Sequence, residues 1–508
     1  MENIKKIVKS RWVLYTLLAI FCVFLASTSA DYDYDLYARL IVGENFIEQG
    51  VFNYKDFWSY TPSHLWYDHE WGASIIFYAF FKVFGNFGFV LVQVLTMFVT
   101  AFFIIKTQKL QKHAYPVSLA FIALFLAAFM HQNPSLVRCH LFSFMFFSMF
   151  LYFLEKTRIS NSNAVWWIPF VTLLWNNIHG GVVSGLGILF IYLVSQIVLK
   201  KPYKKFLYVL LVSTGILIIN PYGFDYVKFL IMANTMTRKY ITEWWNVFAP
   251  RHIMYYYPLF CIGVFTILYG IFNFKKLKRE DLTKVILLLV TAFLGAKHVK
   301  LLSLPLITVS ALFYNEICGF INSKKLRMAE NLAIICIIVC IFFIPSKKPF
   351  EAKTNIVKYP VKEVEFLKIN NIKGNVLSEF GLSSYIAYKL YPDNLIYLDG
   401  RYEEVYNDTE FNKLMHYELV DENWQDILKD YPTEILMPEK IIPVYSVLEK
   451  NKDWVKIYEG NVCGIFVKKE KVRKNYIMPD DDIEYYRKNE FVNLGYFGRE
   501  KNKYDRKS

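Results

Sequence analysis

Long apolar runs alternate along this chain with short clusters of Lys and Arg. A helix needs about 20 mostly apolar residues to cross a bilayer, and many of these runs approach that length. The alternation therefore predicts a polytopic α-helical membrane protein with about 11 transmembrane helices. The predicted spans are 12–30, 86–105, 115–130, 141–154, 164–178, 181–199, 206–219, 253–273, 282–296, 299–319 and 329–345.

The distribution of positive charge predicts the orientation of these spans. With a cytoplasmic N-terminus, every inner loop is basic, as the positive-inside rule requires. The inner clusters begin at Lys5, Lys106, Lys156, Lys200, Lys275 and Lys324. A cleaved signal peptide is an alternative for residues 1–30. Because its apolar stretch is long for a signal peptide, we interpret it as a retained first span of a multi-pass cell-membrane protein. The C-terminal part is then extracytoplasmic.

Three regions follow from the change in composition near residue 346. We predict a transmembrane domain at 1–345, an extracytoplasmic α/β domain at 346–470 and a loosely held charged tail at 471–508. In the first outer loop, 31–85, helical spacing in the second half predicts an interfacial helix. Helices and strands alternate in the second region, which indicates an α/β fold. Its segments are VEFLKINN (helix), GNVLSEFG (strand), LSSYIAYKLYP (helix), NLIYLDGR (strand) and the hairpin DWVKIYEGNVCGIFVKK.

Composition excludes several classes of protein and site. Hydrophobic residues make up 55% of the chain and charged residues 20%, which is too apolar for a soluble protein of 508 residues. The net charge of +14 lies largely in short loops between spans, and no nucleic-acid-binding motif accompanies it. The seven cysteines show no disulfide or zinc spacing. Gly181 and Gly185 favour close helix packing over phosphate binding, because no strand precedes them.

Polar residues at the ends of the predicted spans share one side of the membrane in this topology. Any one of them alone is explained by packing or by the membrane interface. Their convergence predicts a polar cavity at the outer face. The set is Asp33, Asp35, Arg39, His69, Glu70, Arg138, His140, Asn176, Asn177, His179, Asn220, Glu243, Lys297, His298 and Lys300.

The mixture of charges in this set indicates a chemistry. Carboxylates come from the first loop, whereas Arg, His and Lys come from later segments. A general base beside an anionic phosphate leaving group needs this division. Asp33 and Asp35 could instead hold a divalent metal, Mg or Mn, through oxygen ligands, and no other cofactor is indicated.

Seven motifs, in order along nearly the whole chain, resemble the GT-C superfamily of polytopic glycosyltransferases. This superfamily includes protein O-mannosyltransferases, oligosaccharyltransferases and the aminoarabinose transferases of lipid A, and the similarity is greatest to a poorly characterised bacterial branch. Tyr37, Arg39 and Cys139 depart from that branch, which usually has Trp at the first position and often has His and Pro at the other two. The motifs are DYDLYAR (33–39), DHEW (68–71), RCHLF (138–142), NIHGG (177–181), NPYG (220–223), ITEWW (241–245) and YLDGRYE (397–403).

The resemblance implies a membrane glycosyltransferase of the cell envelope. It implies a polyprenyl-phosphate sugar as donor, with membrane lipid around it, and a glycan, lipid or protein as acceptor. Asp33, or next Asp35, is then the catalytic base or a metal ligand. The other assigned residues contact the donor phosphate (Arg138, His179, Lys297, His298, Lys300) or the substrate (Arg39, His69, Glu70, Glu243).

Two other classes of function fit parts of the sequence. A non-catalytic scaffold for envelope assembly would contain the same motifs without turnover. A lipid or ion transporter is disfavoured, because the chain shows no inverted repeat and its ionisable residues lie toward one face. In YLDGRYE, we interpret Asp399 and Arg401 as tying down backbone or each other, with Gly400 in a tight turn. Contact of Arg401 with the substrate is the alternative.

Overall fold

The structure is a computed structural model of the 508-residue chain. It describes residues 11–28, 32–61, 64–110, 137–249, 282–313 and 358–480. The predicted spans 115–130, 253–273 and 329–345 lie outside these residues.

The chain divides into two compact units, each built from two stretches of sequence. The first unit comprises residues 1–29 and 90–349, and the second comprises residues 30–89 and 350–508. The first outer loop therefore belongs to the same unit as the C-terminal α/β region.

Helices dominate the first unit. Their positions follow the predicted spans closely where both are described: 181–199 becomes Val182–Val198, and 282–296 becomes Leu282–Lys297. The described residues between the predicted spans 206–219 and 253–273 contain a helix and a 3-10 turn. The helices are α1 (Arg11–Thr28), α4 (Asn86–Leu110, which starts in the second unit), α5 (His140–Ser160), α6 (Ile168–Ile178), α7 (Val182–Val198), α8 (Lys204–Ile216), α9 (Phe224–Thr235), α10 (Leu282–Lys297) and α11 (Ser303–Leu312), with 3-10 turns at Ala164–Trp167, Thr242–Trp244 and Val299–Leu301.

One helix among the described residues, Asn86–Leu110, is long and apolar enough to cross a membrane on its own composition. Shorter apolar helices include Trp71–Phe84 and Val182–Val198. The close packing predicted for Gly185 is confirmed, because a Cβ there would meet the ring of Trp175 at 2.6 Å.

The second unit combines two helices of the first outer loop with the C-terminal elements. Helix α2 (Leu36–Gln49) ends at Gly50, whose left-handed backbone (φ 67°) lets its N–H donate to the carbonyls of Asn45 and Phe46. The helix predicted from EWGASIIFYAFFKVFG is present as α3 (Trp71–Phe84). The elements of this unit are α2 (Leu36–Gln49), α3 (Trp71–Phe84), α12 (Val361–Ile369), β1 (Val376–Ser378), α13 (Phe380–Leu390), α14 (Tyr402–Val405), α15 (Asp408–Leu419), α16 (Asp426–Asp430), β2 (Ile435–Met437), α17 (Pro443–Leu448), β3 (Trp454–Glu459), β4 (Gly464–Lys468) and a 3-10 turn at Lys469–Lys471.

The C-terminal sheet has four strands in the order β1-β2-β4-β3. Strands β1 and β2 are parallel, and the predicted terminal hairpin is confirmed as the antiparallel pair β3–β4. The strand predicted in NLIYLDGR is wrong. Ile396 forms only isolated bridges, one to Val376 and one to Ser59 of the first loop. The segment is apolar because it is fully buried. Burial alone does not provide a neighbouring strand along its length.

The start of the predicted tail is attached to the α/β region. Arg473 donates to the carbonyl of Asn370, and the Asn370 side chain exchanges hydrogen bonds with the backbone of Ile477. These bonds hold residues 473–477 against the end of helix α12, so this part of the tail is not loosely held as the sequence predicts.

Packing between helices α2 and α13 joins the first outer loop to the C-terminal region. Tyr37 of α2 is fully buried, and its ring lies edge-on to Tyr359 and Tyr385 at centroid distances of 5.3 and 5.0 Å. Such aromatic pairs stabilise beyond the area they bury. The beginning of α2, where Asp33 and Asp35 lie, is therefore fixed by residues of the C-terminal region.

Candidate functional site

The acidic start of helix α2 is held by short-range contacts. Asp33 is 8% exposed, and its Oδ1 accepts the backbone N–H of Asp35 at 3.1 Å. Asp35 occupies the N-cap position, but its side chain does not cap the helix. Of the two carboxylates predicted to be catalytic, Asp33 is thus the more buried and Asp35 the more accessible.

Two residues at the entrance to the α/β region support this acidic segment. Tyr359 donates its hydroxyl to the carbonyl of Tyr32 at 2.9 Å, and Lys358 lies 4.1 Å from the ring centroid of Tyr34. Burial raises the pKa of Tyr359 well above its usual value, and Tyr37 and Asp33 raise it further through their charges. The Tyr359 hydroxyl therefore stays protonated and can hold the Tyr32 carbonyl.

Arg39 is the centre of a second cluster in the same unit. Its guanidinium is 3% exposed and lies 2.5 Å from Asp68, 3.5 Å from Glu70 and 3.5 Å from Glu404. His69 lies 2.9 Å from Glu404. The structure thus brings together Arg39, His69 and Glu70, which the sequence assigns to substrate contact.

Burial and charge act in opposite directions on the carboxylates of this cluster. Burial raises the pKa of Asp68 to about 6, although Arg39 opposes the shift. Burial also acts to raise the pKa of Glu404, but Arg39 and His69 lower it below its usual value. Glu404 and Asp68 are carboxylates of this cluster that the sequence analysis does not assign to the site. Glu404 directly follows the YLDGRYE motif, and Asp68 begins DHEW.

Arg401 of the same motif is enclosed by first-loop residues. Its side chain is 1% exposed and pairs with Asp399 and Asp56 at 2.8 Å each. The guanidinium stacks 3.7 Å from the ring centroid of Trp58 and 4.7 Å from that of Trp66. Trp58 in turn donates its indole N–H to Asp399 at 2.9 Å. Asp399 and Arg401 do tie each other down, as predicted, and they also fasten the first loop.

In the first unit, Glu243 of ITEWW lies close to two basic residues, Arg138 and Lys300. It forms an ion pair with Arg138, and Lys300 lies 3.9 Å away. Burial acts to raise the pKa of Glu243, but Arg138 and Lys300 lower it to about 2. Glu243 is therefore ionised at neutral pH beside two cations.

The ring of Trp244 binds another cation, Arg238, close to this cluster. Arg238 stacks on its ring at 4.1 Å, and Lys300 lies over the ring at 5.3 Å. His298 is placed by a 2.8 Å contact of its Nδ1 with the Trp244 carbonyl. Sequence reasoning missed Arg238, whose signal is the basic TRKY run. The cluster of Arg138, Arg238, Lys300 and Glu243 has an excess of positive charge, which suits an anionic ligand.

His179 has a defined orientation at the start of helix α7. Its Nδ1 lies 2.8 Å from the hydroxyl of Ser143 and accepts the N–H of Gly181 at 2.9 Å. Because Nδ1 accepts the N–H of Gly181, it carries no proton, and the Ser143 hydroxyl is the donor in its contact with His179. The neutral ring then has its proton on Nε2, where it can be donated to another group.

The remaining predicted residues divide by role. Asn176 and Asn177 donate to the carbonyls of Leu217 and Ile219, and so they connect helix α6 with the segment after α8. Lys297 is the last residue of helix α10. Asp33, Asp35, Arg39, His69 and Glu70 belong to one compact unit, and the basic residues and Glu243 to the other. A single cavity containing both groups stays a prediction.

Comparison with solved structures identifies the fold. No family model and no curated protein matches the chain. The apo oligosaccharyltransferase of Archaeoglobus fulgidus is similar over 84% of this chain and 69% of its own, with a TM-score of 0.59 and 9% identity. The oligosaccharyltransferase AglB from the same organism, solved with an inhibitory peptide and a dolichol-phosphate, matches over 94% and 76% of the two chains (TM-score 0.55, 9% identity).

A third structure, the A. fulgidus enzyme tethered to an acceptor peptide, covers 84% of this chain and 69% of its own, with a TM-score of 0.52 and 10% identity. AglB is a GT-C enzyme, so the resemblance to that superfamily is confirmed at the level of the fold. These neighbours are membrane proteins, which is consistent with a membrane location for this chain.

Proposed function

We propose that this protein is a membrane glycosyltransferase that moves a sugar from a polyprenyl-phosphate donor to an acceptor on the extracytoplasmic face. The observation that carries the proposal is the fold shared with AglB over 94% of the chain. That structure was solved with a dolichol-phosphate, and a similar one with an acceptor peptide. A peptide is therefore the first acceptor to assay, followed by glycans and lipids.

The carboxylates of Asp33 and Asp35 supply the basic function in this proposal. One of them takes the proton of the acceptor hydroxyl or amide as the acceptor attacks the anomeric carbon. The bond from that carbon to the phosphate oxygen breaks, and its electron pair leaves with the lipid phosphate. Oxygen ligands suit Mg or Mn, so the same two side chains fit a divalent cation, which would supply positive charge to the leaving phosphate.

The basic cluster around Glu243 supplies the site for the phosphate. Arg138 and Lys300 already share one carboxylate, and Arg238 stacks on the ring of Trp244. The donor phosphate is a diester with one negative charge, like the Glu243 carboxylate, and it competes with Glu243 for these cations. His179, His298 and Lys297 are assigned to the same role on sequence grounds alone.

Lys300→Gln is expected to raise KM for the lipid-phosphate donor about tenfold, with a smaller change in kcat, because one hydrogen bond to a charged group is lost. The measurement is steady-state sugar transfer with a synthetic polyprenyl-phosphate donor at several ionic strengths. Lys228→Gln is the matched control, since Lys228 is exposed and pairs with Asp225. An unchanged donor KM in Lys300→Gln would remove Lys300 from the phosphate site.

The proposed orientation has the N-terminus in the cytoplasm and the α/β region outside, in a multi-pass protein. Its support is the basic content of every predicted inner loop. Alkaline phosphatase fused after residue 346 is expected to be active, because it is exported, whereas a fusion within the loop at 106–112 is expected to be inactive. The opposite pattern would reverse the orientation and place Asp33 on the cytoplasmic side.

A further inference from the structure

The sequence DGR places three neighbouring residues against the first outer loop, and the middle one contacts a carboxylate. Asp399 accepts from Trp58, Arg401 pairs with Asp56, and Gly400 lies against the carboxylate of Asp35. We propose that Gly400 is a positioning residue that sets the orientation of the Asp35 carboxylate for catalysis. The proposal rests on the catalytic role of Asp35 given under the proposed function.

The need for glycine at position 400 comes from space and not from backbone conformation. Gly400 is not among the residues with a left-handed backbone, so its conformation is open to other residues. A Cβ built on it would lie 3.6 Å from Asp35 Cγ and well inside contact distance of Asp35 Oδ1. The tight-turn interpretation of Gly400 is thus replaced by a close approach between the two residues.

Neither side of this contact is free to move as a whole. Asp399 and Arg401 flank Gly400, are 0% and 2% exposed, and are fixed by the Trp58 and Asp56 contacts. On the other side, Asp35 begins helix α2, whose Tyr37 is fully buried. A methyl group at position 400 is therefore relieved most easily by rotation of the Asp35 side chain.

Such a rotation matters because proton transfer depends on the position of the base. A misplacement of about 1 Å can cost roughly 100-fold in rate even when binding is intact. Gly400→Ala is accordingly expected to lower kcat for sugar transfer by roughly that factor and to leave both substrate KM values nearly unchanged. If the glycine had a structural role alone, Gly400→Ala would change the stability and the amount of active protein. It would not lower the kcat of the folded protein at unchanged KM.

The test combines turnover with thermal unfolding of the purified full-length protein in four forms: wild type, Gly400→Ala, Asp35→Ala and the double variant. Gly215→Ala is the control, because a Cβ at Gly215 meets no atom of the described residues within 4 Å. We expect Gly400→Ala to lower the melting temperature in the wild-type background. In the Asp35→Ala background we expect it to cost no more than Gly215→Ala does, since the oxygen it meets is gone.

The outcomes separate this inference from the proposed function. If Asp35→Ala is inactive while Gly400→Ala turns over normally, the positioning role is overturned and the catalytic role stands. An equal loss of melting temperature from Gly400→Ala in both backgrounds also overturns the positioning role, because the glycine is then needed for its own backbone. Full turnover by Asp35→Ala would contradict the catalytic role of Asp35, and the positioning role with it, and would leave Asp33 as the base of the proposed function.

Discussion

Sugar transfer is expected to fall roughly 100- to 10,000-fold when Asp33 or Asp35 is replaced by Asn, if the replaced carboxylate acts as the general base. An amide has the shape of the carboxylate but cannot accept the acceptor's proton. The fold should survive, because the side-chain carbonyl oxygen introduced by Asp33→Asn can still accept the backbone N–H of Asp35 that the carboxylate accepts now. The measurement is turnover of purified protein with a polyprenyl-phosphate sugar, at matched protein level and melting temperature.

Asp393→Asn is the matched control for this prediction. Asp393 lies in the same compact unit, is 56% exposed and pairs only at the surface with Lys373, within the contacts described for it. Its replacement should leave turnover unchanged. Near-normal turnover in both Asp33→Asn and Asp35→Asn would exclude a catalytic role for the acidic loop and favour a non-catalytic scaffold.

The second large effect is expected at Arg401, and it concerns stability. Arg401→Lys keeps the charge but loses the bidentate geometry and the stacking on Trp58. We expect the free energy of unfolding to fall by about 2 kcal/mol, the value typical of hydrogen bonds to charged groups. Arg401→Met leaves Asp56 and Asp399 buried without their cation and should cost about 3–5 kcal/mol.

Melting temperature and turnover, measured on the same preparations, decide between the two interpretations of Arg401. Arg473→Lys is the control, because Arg473 is exposed and donates to backbone carbonyls. If Arg401→Lys lowers the melting temperature together with activity, Arg401 fastens the first loop to the α/β region. Lost activity at an unchanged melting temperature would instead place its guanidinium on the substrate.

Local periodicity made the helices predictable and left the contacts between distant segments unpredicted. The sequence predicts the helix Leu282–Lys297 to within a residue, because a continuous apolar run with a basic end has few alternatives. No local sequence period predicts the stacking of Arg238 on Trp244 or the pairing of Glu404 with Arg39. The strand predicted in NLIYL is wrong for a related reason. Burial explains why the segment is apolar, but a strand also needs a neighbouring strand along its length.

Sequence motifs identify residues of the candidate site but do not identify the partners of those residues. The motif DGR stands out in the sequence, but its partners lie in the first loop, and Asp56 precedes its partner Arg401 by 345 positions. No spacing rule connects residues so far apart. The fold and the residues themselves could therefore be found from sequence, whereas which carboxylate each cation would meet could not.

The ion pair between Asp56 and Arg401 can form only after both residues have been synthesised, which delays the packing of the first loop. At usual rates of translation, roughly 20 to 70 s separate the two residues on the ribosome. Throughout that interval the nascent loop holds Trp58 and Trp66, both fully buried in the finished protein, without the segment that covers them. The loop can complete its core only after the distal region has been synthesised. The first loop therefore completes its packing late in synthesis, and a chain terminated before residue 399 would leave these two buried indoles without the segment that covers them.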